Sequence, residues 1–288
     1  MEIDKNKSPY GLNYYLNYLL ELNKANKLPN INLISGKKGI GKYSLILKFL
    51  GEILNIKDLS DDINFLILKN IYILQGDNKV KVDDIRNLIN FLNKTSFNAQ
   101  KRFIILNDIE LFNKNSLNAL LKVLENPGHN NVFFLIFNKQ YSLLKTIESR
   151  CLEIKVKMNN KTRISSIHSL INDNALIASL DFENSDITPG LFIKFNDIIT
   201  QNKISEINNY TLKVKKLLEI YKKKKDYSVI QIIKYYSDEY FYKLTKNNKK
   251  YIFELNEKKI NLFKKLNDFV NLNLSNNYIL SEISDFNK

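Results

Sequence analysis

The chain has 288 residues, 44% hydrophobic and 26% charged, with a formal net charge of +14. That length can bury two or three cores, and that balance is the composition of a folded globular protein rather than a disordered one. A single cysteine, Cys151, excludes an internal disulfide and any multi-cysteine zinc site.

Other exclusions follow from patterning. His129 and His168 lack metal-ligand spacing, no run of about eighteen apolar residues occurs, and the first residues hold no apolar signal core. A cytoplasmic protein without a membrane span or a metal is expected. The basic charge permits a nucleic-acid partner, but Lys, Asn and Ile are used heavily throughout, as an AT-rich genome would impose. Charge alone therefore assigns nothing.

In chain order, INLIS (31–35) reads as a strand that enters a glycine-bearing loop and then the helical pattern SLILKFLGEIL. INFLILK (63–69) precedes VDDIRNLINFL, RFIILN (102–107) precedes NSLNALLKVLEN, NVFFLIF (131–137) precedes SLLKTIESR, and LEIKVK (152–157) closes the series. Short apolar strands that alternate with helices predict a five-stranded parallel sheet with helices on both faces. This α/β P-loop module is expected over residues 1–157. Residues 158–206 read as short helices broken near SDITPGL, a helical lid. No glycine or proline occurs after Gly190, so residues 207–288 are expected to form an all-helical C-terminal domain with short joints. The lysine run 222–225 reads as a solvated helix end.

The stretch SGKKGIGKYS (35–44) nearly spells a phosphate loop. Gly36, Gly41 and Lys42 occupy the positions of G-x-x-x-x-G-K-[ST], with Gly39 between them. In such a loop the backbone N–H groups wrap phosphates, the lysine neutralises them and the following hydroxyl binds Mg²⁺. Here that hydroxyl position is Tyr43, whose oxygen sits at the end of a rigid ring. Ser44, one residue on, is rotated by about 100° on the helix and does not substitute. The partner feature, an acidic pair ending a neighbouring strand, is Asn107-Asp108, with an amide where the metal-holding carboxylate belongs. Two losses on the metal side predict a loop kept as scaffold: Lys42 and the loop amides can still bind ATP, but none is required and efficient hydrolysis is not expected.

NSLNALLKVLENPGHNNVFFLIFNKQYSLLKTIESRC (115–151) resembles the block shared by AAA+ clamp-loader subunits of bacterial DNA polymerase III. LPNINLISGKKGIGK (28–42) and VKVDDIRNLINFL (80–92) resemble two further family motifs in the same order. The resemblance runs over about residues 28–157. Beyond it, ITPGLF (187–192) and NLNLSNNYILSEI (271–283) resemble parts of the family's lid and C-terminal collar. The family's ATPases carry a loop Thr, an Asp-Glu pair and a nucleotide-sensing lid Arg. Tyr43, Asn107-Asp108 and the absence of Arg between Ser185 and Phe195 resemble instead the delta-prime class, whose site is degenerate. Most bacterial relatives have a four-cysteine zinc knuckle that this chain lacks, so no zinc is expected; NIYILQGDN (70–78) matches no family feature.

The resemblance implies a non-hydrolysing subunit that meets gamma/tau-like ATPase subunits and a delta-like subunit through its helical collar. It implies indirect work on the sliding clamp and primer-template DNA. Arg150, in the Ser149-Arg150-Cys151 triplet, is implied as an arginine supplied in trans to a neighbour's ATP, and Asn138 as a γ-phosphate sensor left as a relic. Two alternatives stand beside this reading: an active gamma/tau-like ATPase, and another AAA+ protein acting on DNA.

Overall fold

The computed structural model describes residues 10–56, 70–76, 80–93, 101–247 and 249–284. It divides into two compact units, Met1–Leu176 with Phe182–Leu191, and Ile177–Asp181 with Phe192–Lys288.

In the first unit α1 (Asn13–Lys24) precedes β1 (Ile31–Ser35), α2 (Lys42–Leu54), β2 (Ile71–Gln75) and α3 (Val82–Asn93). Then come β3 (Arg102–Asn107), a 3₁₀ turn (Ile109–Leu111), α4 (Lys114–Glu125), β4 (Asn131–Phe137), α5 (Lys145–Glu148), β5 (Leu152–Lys155) and α6 (Asn160–Asp173). The strands form one parallel sheet in the order β2-β3-β4-β1-β5.

Alternation along the strands explains why both faces are covered. Ile34, Phe103, Ile105, Phe134 and Ile136 face Leu16 and Leu19 of α1 and Leu45, Phe49 and Leu50 of α2. Their neighbours Leu33, Ile104, Leu106, Phe133 and Leu135 face Ile85 and Leu88 of α3 and Leu117, Leu120 and Leu124 of α4. Every residue of β1 is buried, which fits its inner position.

Three strands of the sheet begin and end where the apolar runs do, and β5 stops at Lys155, opposite the last residue of β1. INFLILK lies outside the described residues. The strand preceding α3 is Ile71–Gln75, inside NIYILQGDN, to which sequence reading assigned no element. It lies at the sheet edge with only Ile71 fully buried, so it needs no long apolar run. The helix expected over 142–150 shrinks to Lys145–Glu148, because Leu144 is extended and only Ile147 anchors it in the core.

α7 (Pro189–Gln201) has its first three residues in the first unit and belongs to the second from Phe192 on. α8 (Tyr210–Lys224), α9 (Tyr227–Asn247), α10 (Ile252–Asn271) and α11 (Asn276–Ser284) follow, and α8 contacts α9 and α11 while α10 contacts α9 and α11. Val214, Leu217, Leu218, Ile233, Leu262, Leu266, Phe269 and Ile279 fill the interior. The lysine run departs from a purely solvated end. Lys222 Nζ donates to Leu274 O at 2.5 Å, and Lys225 Nζ donates to Asn273 Oδ1 at 2.6 Å. Both tie the end of α8 to the α10–α11 joint.

Candidate phosphate loop and arginine edge

Because β1, β3 and β4 are adjacent and parallel, their C-terminal ends gather Gly36, Asn107 and Asn138 at one edge of the sheet, where open α/β sheets bind ligands. Lys42, the first residue of α2, turns into this edge and is 3% exposed. Its ammonium donates to Gly36 O at 2.9 Å, to Lys37 O at 2.7 Å and to Asn138 Oδ1 at 2.8 Å. An ammonium has three N–H donors, so all are in use. Burial pulls the Lys42 pKa down to about 8, against the opposing pull of Glu110 and Asp108.

Two carbonyls of the loop are also engaged by the chain's own groups. Thr188 Oγ1 donates to Lys38 O at 2.8 Å, and the Gly190 N–H donates to Gly39 O at 2.7 Å. Gly39 has φ +79°, and a Cβ there would stand 2.4 Å from Thr188 Oγ1. This glycine therefore admits the 188–190 turn of its own unit. Lys37 and Lys38 lie 3.9 Å from Asp186 and Asp108. Behind the turn, Arg163 of α6 donates to Phe182 O at 2.7 Å and Ile187 O at 3.1 Å, fixing the segment that leads to Thr188.

Gly36, Gly39 and Gly41 lie on the connection between β1 and α2, and Lys42 opens α2. Tyr43 packs against the apolar cluster of α1 and α2, and Ser44 is exposed. Asn107 ends β3, two strands from β1, and Asp108 follows it, but they face different partners. Asn107 Nδ2 donates to Gln75 Oε1 on β2 at 2.7 Å. Asp108, at φ +51°, accepts from Asn138 Nδ2 at 2.5 Å.

Asn138 is the hub of this edge. Besides Lys42 and Asp108 it engages Glu110, whose Oε1 accepts from the Asn138 N–H at 3.0 Å. Sequence reading missed Glu110. It sits on the 3₁₀ turn after β3, 8% exposed, and burial raises its carboxyl pKa above the ordinary range. Its other oxygen has no hydrogen-bond partner among the described residues. The only sequence signal was an acid two residues beyond Asp108.

Arg150 lies apart from these groups in sequence and in its contacts. Ile147, fully buried, anchors the short α5, and the Arg150 N–H donates to Ile147 O at 3.1 Å. The guanidinium donates through Nη1 to Thr146 O at 2.7 Å and through Nη2 to Glu125 Oε1 at 2.9 Å. Its carboxylate partner is therefore Glu125, at the end of α4, and not the neighbouring Glu148. Cys151 Sγ lies 3.1 Å from Ile147 O, and burial pushes its thiol up to about 12. It shapes the turn as a neutral thiol.

The profile of the family described as "DNA polymerase III, delta subunit" matches residues 12–160. The DNA polymerase III subunit delta' of Pseudomonas aeruginosa is 35% identical over 79 residues, 27% of this chain and 24% of that protein. The subunit delta' of Buchnera aphidicola subsp. Schizaphis graminum is 27% identical over 197 residues, covering 59% of this chain and 60% of the other. The subunit tau/gamma of Haemophilus influenzae is 29% identical over 167 residues, 52% of this chain and 24% of that protein. Each of these matches leaves more than a third of the relative's length uncovered.

Proposed function

The chain belongs to the DNA polymerase III delta-subunit family, and on that premise we propose that it serves DNA replication as a delta-prime-like, non-hydrolysing subunit of a clamp loader. In this reading it assembles in the cytoplasm with gamma/tau-like ATPase subunits and a delta-like subunit. The complex places the sliding clamp on primer-template DNA. The division into an α/β module (1–157), a lid (158–206) and a collar (207–288) belongs to the same proposal. No described helix is long and apolar enough to cross a membrane.

The observation that carries the reading is the fully engaged loop lysine. Phosphate binding would require Lys42 to exchange three hydrogen bonds. The Mg²⁺ side is weaker still: Tyr43 packs, partly buried, against the apolar cluster of α1 and α2, and the Asn107 amide is bound to Gln75. With neither ATP nor metal needed by this chain, its chemistry is Arg150 given in trans. An arginine so placed stabilises charge on the transferred phosphoryl group, by roughly 10³ to 10⁵ in rate in well-characterised systems.

The likeness to a tau/gamma subunit favours a second reading, an active ATPase in which the loop amides, Lys42 and Asp108 suffice. Mixing the chain with gamma/tau-like subunits and measuring assembly and ATP hydrolysis separates the two. Arg150→Ala is expected to leave the complex intact and to depress its DNA-stimulated hydrolysis. Unchanged hydrolysis would remove Arg150 from the reaction.

A further inference from the structure

An arginine that acts across a subunit boundary has a long side chain to hold still, and its activity depends on where the guanidinium waits before the partner arrives. In this chain the waiting position is defined from two elements. Thr146 O, in α5, accepts from Nη1, and Glu125 Oε1, on the last residue of α4, accepts from Nη2. The Glu125 side chain is half exposed and that of Arg150 is one-third exposed, so the pair stands at the surface.

The two backbones are fixed independently. α4 is capped by Asn113, whose Oδ1 accepts the Ser116 N–H at 2.9 Å, and is packed through Leu117, Leu120 and Leu124. The Arg150 turn is held by Ile147, through its buried side chain and its carbonyl. The carboxylate is thus offered as a post from a backbone that does not depend on the arginine. A guanidinium carries five N–H donors in a rigid fork. Two are used here, and three remain among the described residues, enough to grip a phosphoryl oxygen pair while the post is still engaged.

We propose that Glu125 is the positioning residue for Arg150: it holds the guanidinium in the orientation from which it meets the neighbouring subunit's ATP. This rests on the trans role given to Arg150 above. Glu125 touches no reacting atom and acts only through the arginine. Its effect should therefore fall on the turnover of the assembled complex, leave the affinity for ATP unchanged, and vanish when Arg150 is gone.

The test is steady-state ATP hydrolysis by the complex reconstituted with gamma/tau-like and delta-like subunits, clamp and primed DNA. It compares wild type, Glu125→Ala, Glu125→Gln, Arg150→Ala and the Glu125→Ala/Arg150→Ala double variant. Exposed ion pairs of this kind correspond to factors of about two to five, so Glu125→Ala should lower kcat by about that much with KM unchanged. Glu125→Gln, which keeps an acceptor oxygen, should recover part of the loss. The double variant should match Arg150→Ala alone. If Arg150→Ala lowers kcat but Glu125→Ala does not, the positioning role fails and the trans role survives. If Glu125→Ala costs the same with and without Arg150, it acts through stability and the proposal is overturned. If Arg150→Ala has no effect, both fall together.

Discussion

Lys42 Nζ lies 2.8 Å from Asn138 Oδ1, so the lysine of the phosphate loop is bound to the residue that ends the neighbouring strand β4. That contact couples α2, β4 and, through the second arm of Asn138, Asp108 at the end of β3. Lys42 is thereby an internal strut of this edge.

Stability should therefore depend on Lys42. Lys42→Met would leave Gly36 O, Lys37 O and Asn138 Oδ1 without this donor. Each buried group left short costs about 1–3 kcal/mol, partly offset by removal of a buried charge, for a net loss of about 2–4 kcal/mol. Urea unfolding of the purified chain measures it. A variant as stable as wild type would show that the strut carries nothing.

The same residue sets a pH dependence. Lys42 titrates at about 8 in the folded chain and at its ordinary 10.5 when unfolded, so between these values the unfolded chain binds more protons. Stability contributed by this group then rises with pH across that window. The stability difference between wild type and Lys42→Met should grow by up to about 3 kcal/mol from pH 8 to 10.5. A difference that shrinks over this range would mean that the ammonium is not desolvated.

Closure of the loop by the 188–190 turn is open to a separate test. A Cβ at Gly190 would stand 2.9 Å from Gly39 O and 3.1 Å from Gly39 Cα. Gly190→Ala should push the turn off the loop, lowering stability by about 1–2 kcal/mol as overpacking does. Faster hydrogen exchange should appear at the amides of residues 36–41. Unchanged exchange there would mean that the turn does not hold the loop.

Cys151 is expected to be inert. Its thiol is held up to about 12 by burial and lies against Ile147 O, so almost no thiolate exists at neutral pH. Iodoacetamide at pH 7.5 should alkylate it only after denaturation. Rapid labelling of the native chain would contradict the neutral, structural thiol.

The strands of the inner sheet were legible because burial on both faces favours mostly apolar runs, and INLIS, RFIILN and NVFFLIF are bounded by polar residues or glycine. The edge strand β2 escaped notice because a strand with one neighbour is only partly buried and carries no such run. At the site, residue identities disclosed the losses at Tyr43 and Asn107. They did not disclose how the loop is tied to the rest of its unit. That depends on contacts between residues far apart in the chain, Lys42 with Asn138 and Gly39 with Gly190, which no local pattern encodes. Glu110 was hidden for a related reason: its burial comes from the left-handed turn at Asp108, a backbone choice that an Asp permits but does not announce. For Arg150 the motif located the residue, whereas its partner Glu125 became visible only when the end of α4 was seen beside α5.

The loop of this chain is proposed to be silent, with its chemistry delivered elsewhere. The most direct test is equilibrium titration of the purified full chain with ATP, with and without Mg²⁺, followed by a turnover assay on the same sample. The account predicts no Mg²⁺-dependent saturable binding and no hydrolysis by the chain alone. Tight, metal-dependent binding accompanied by turnover would contradict it.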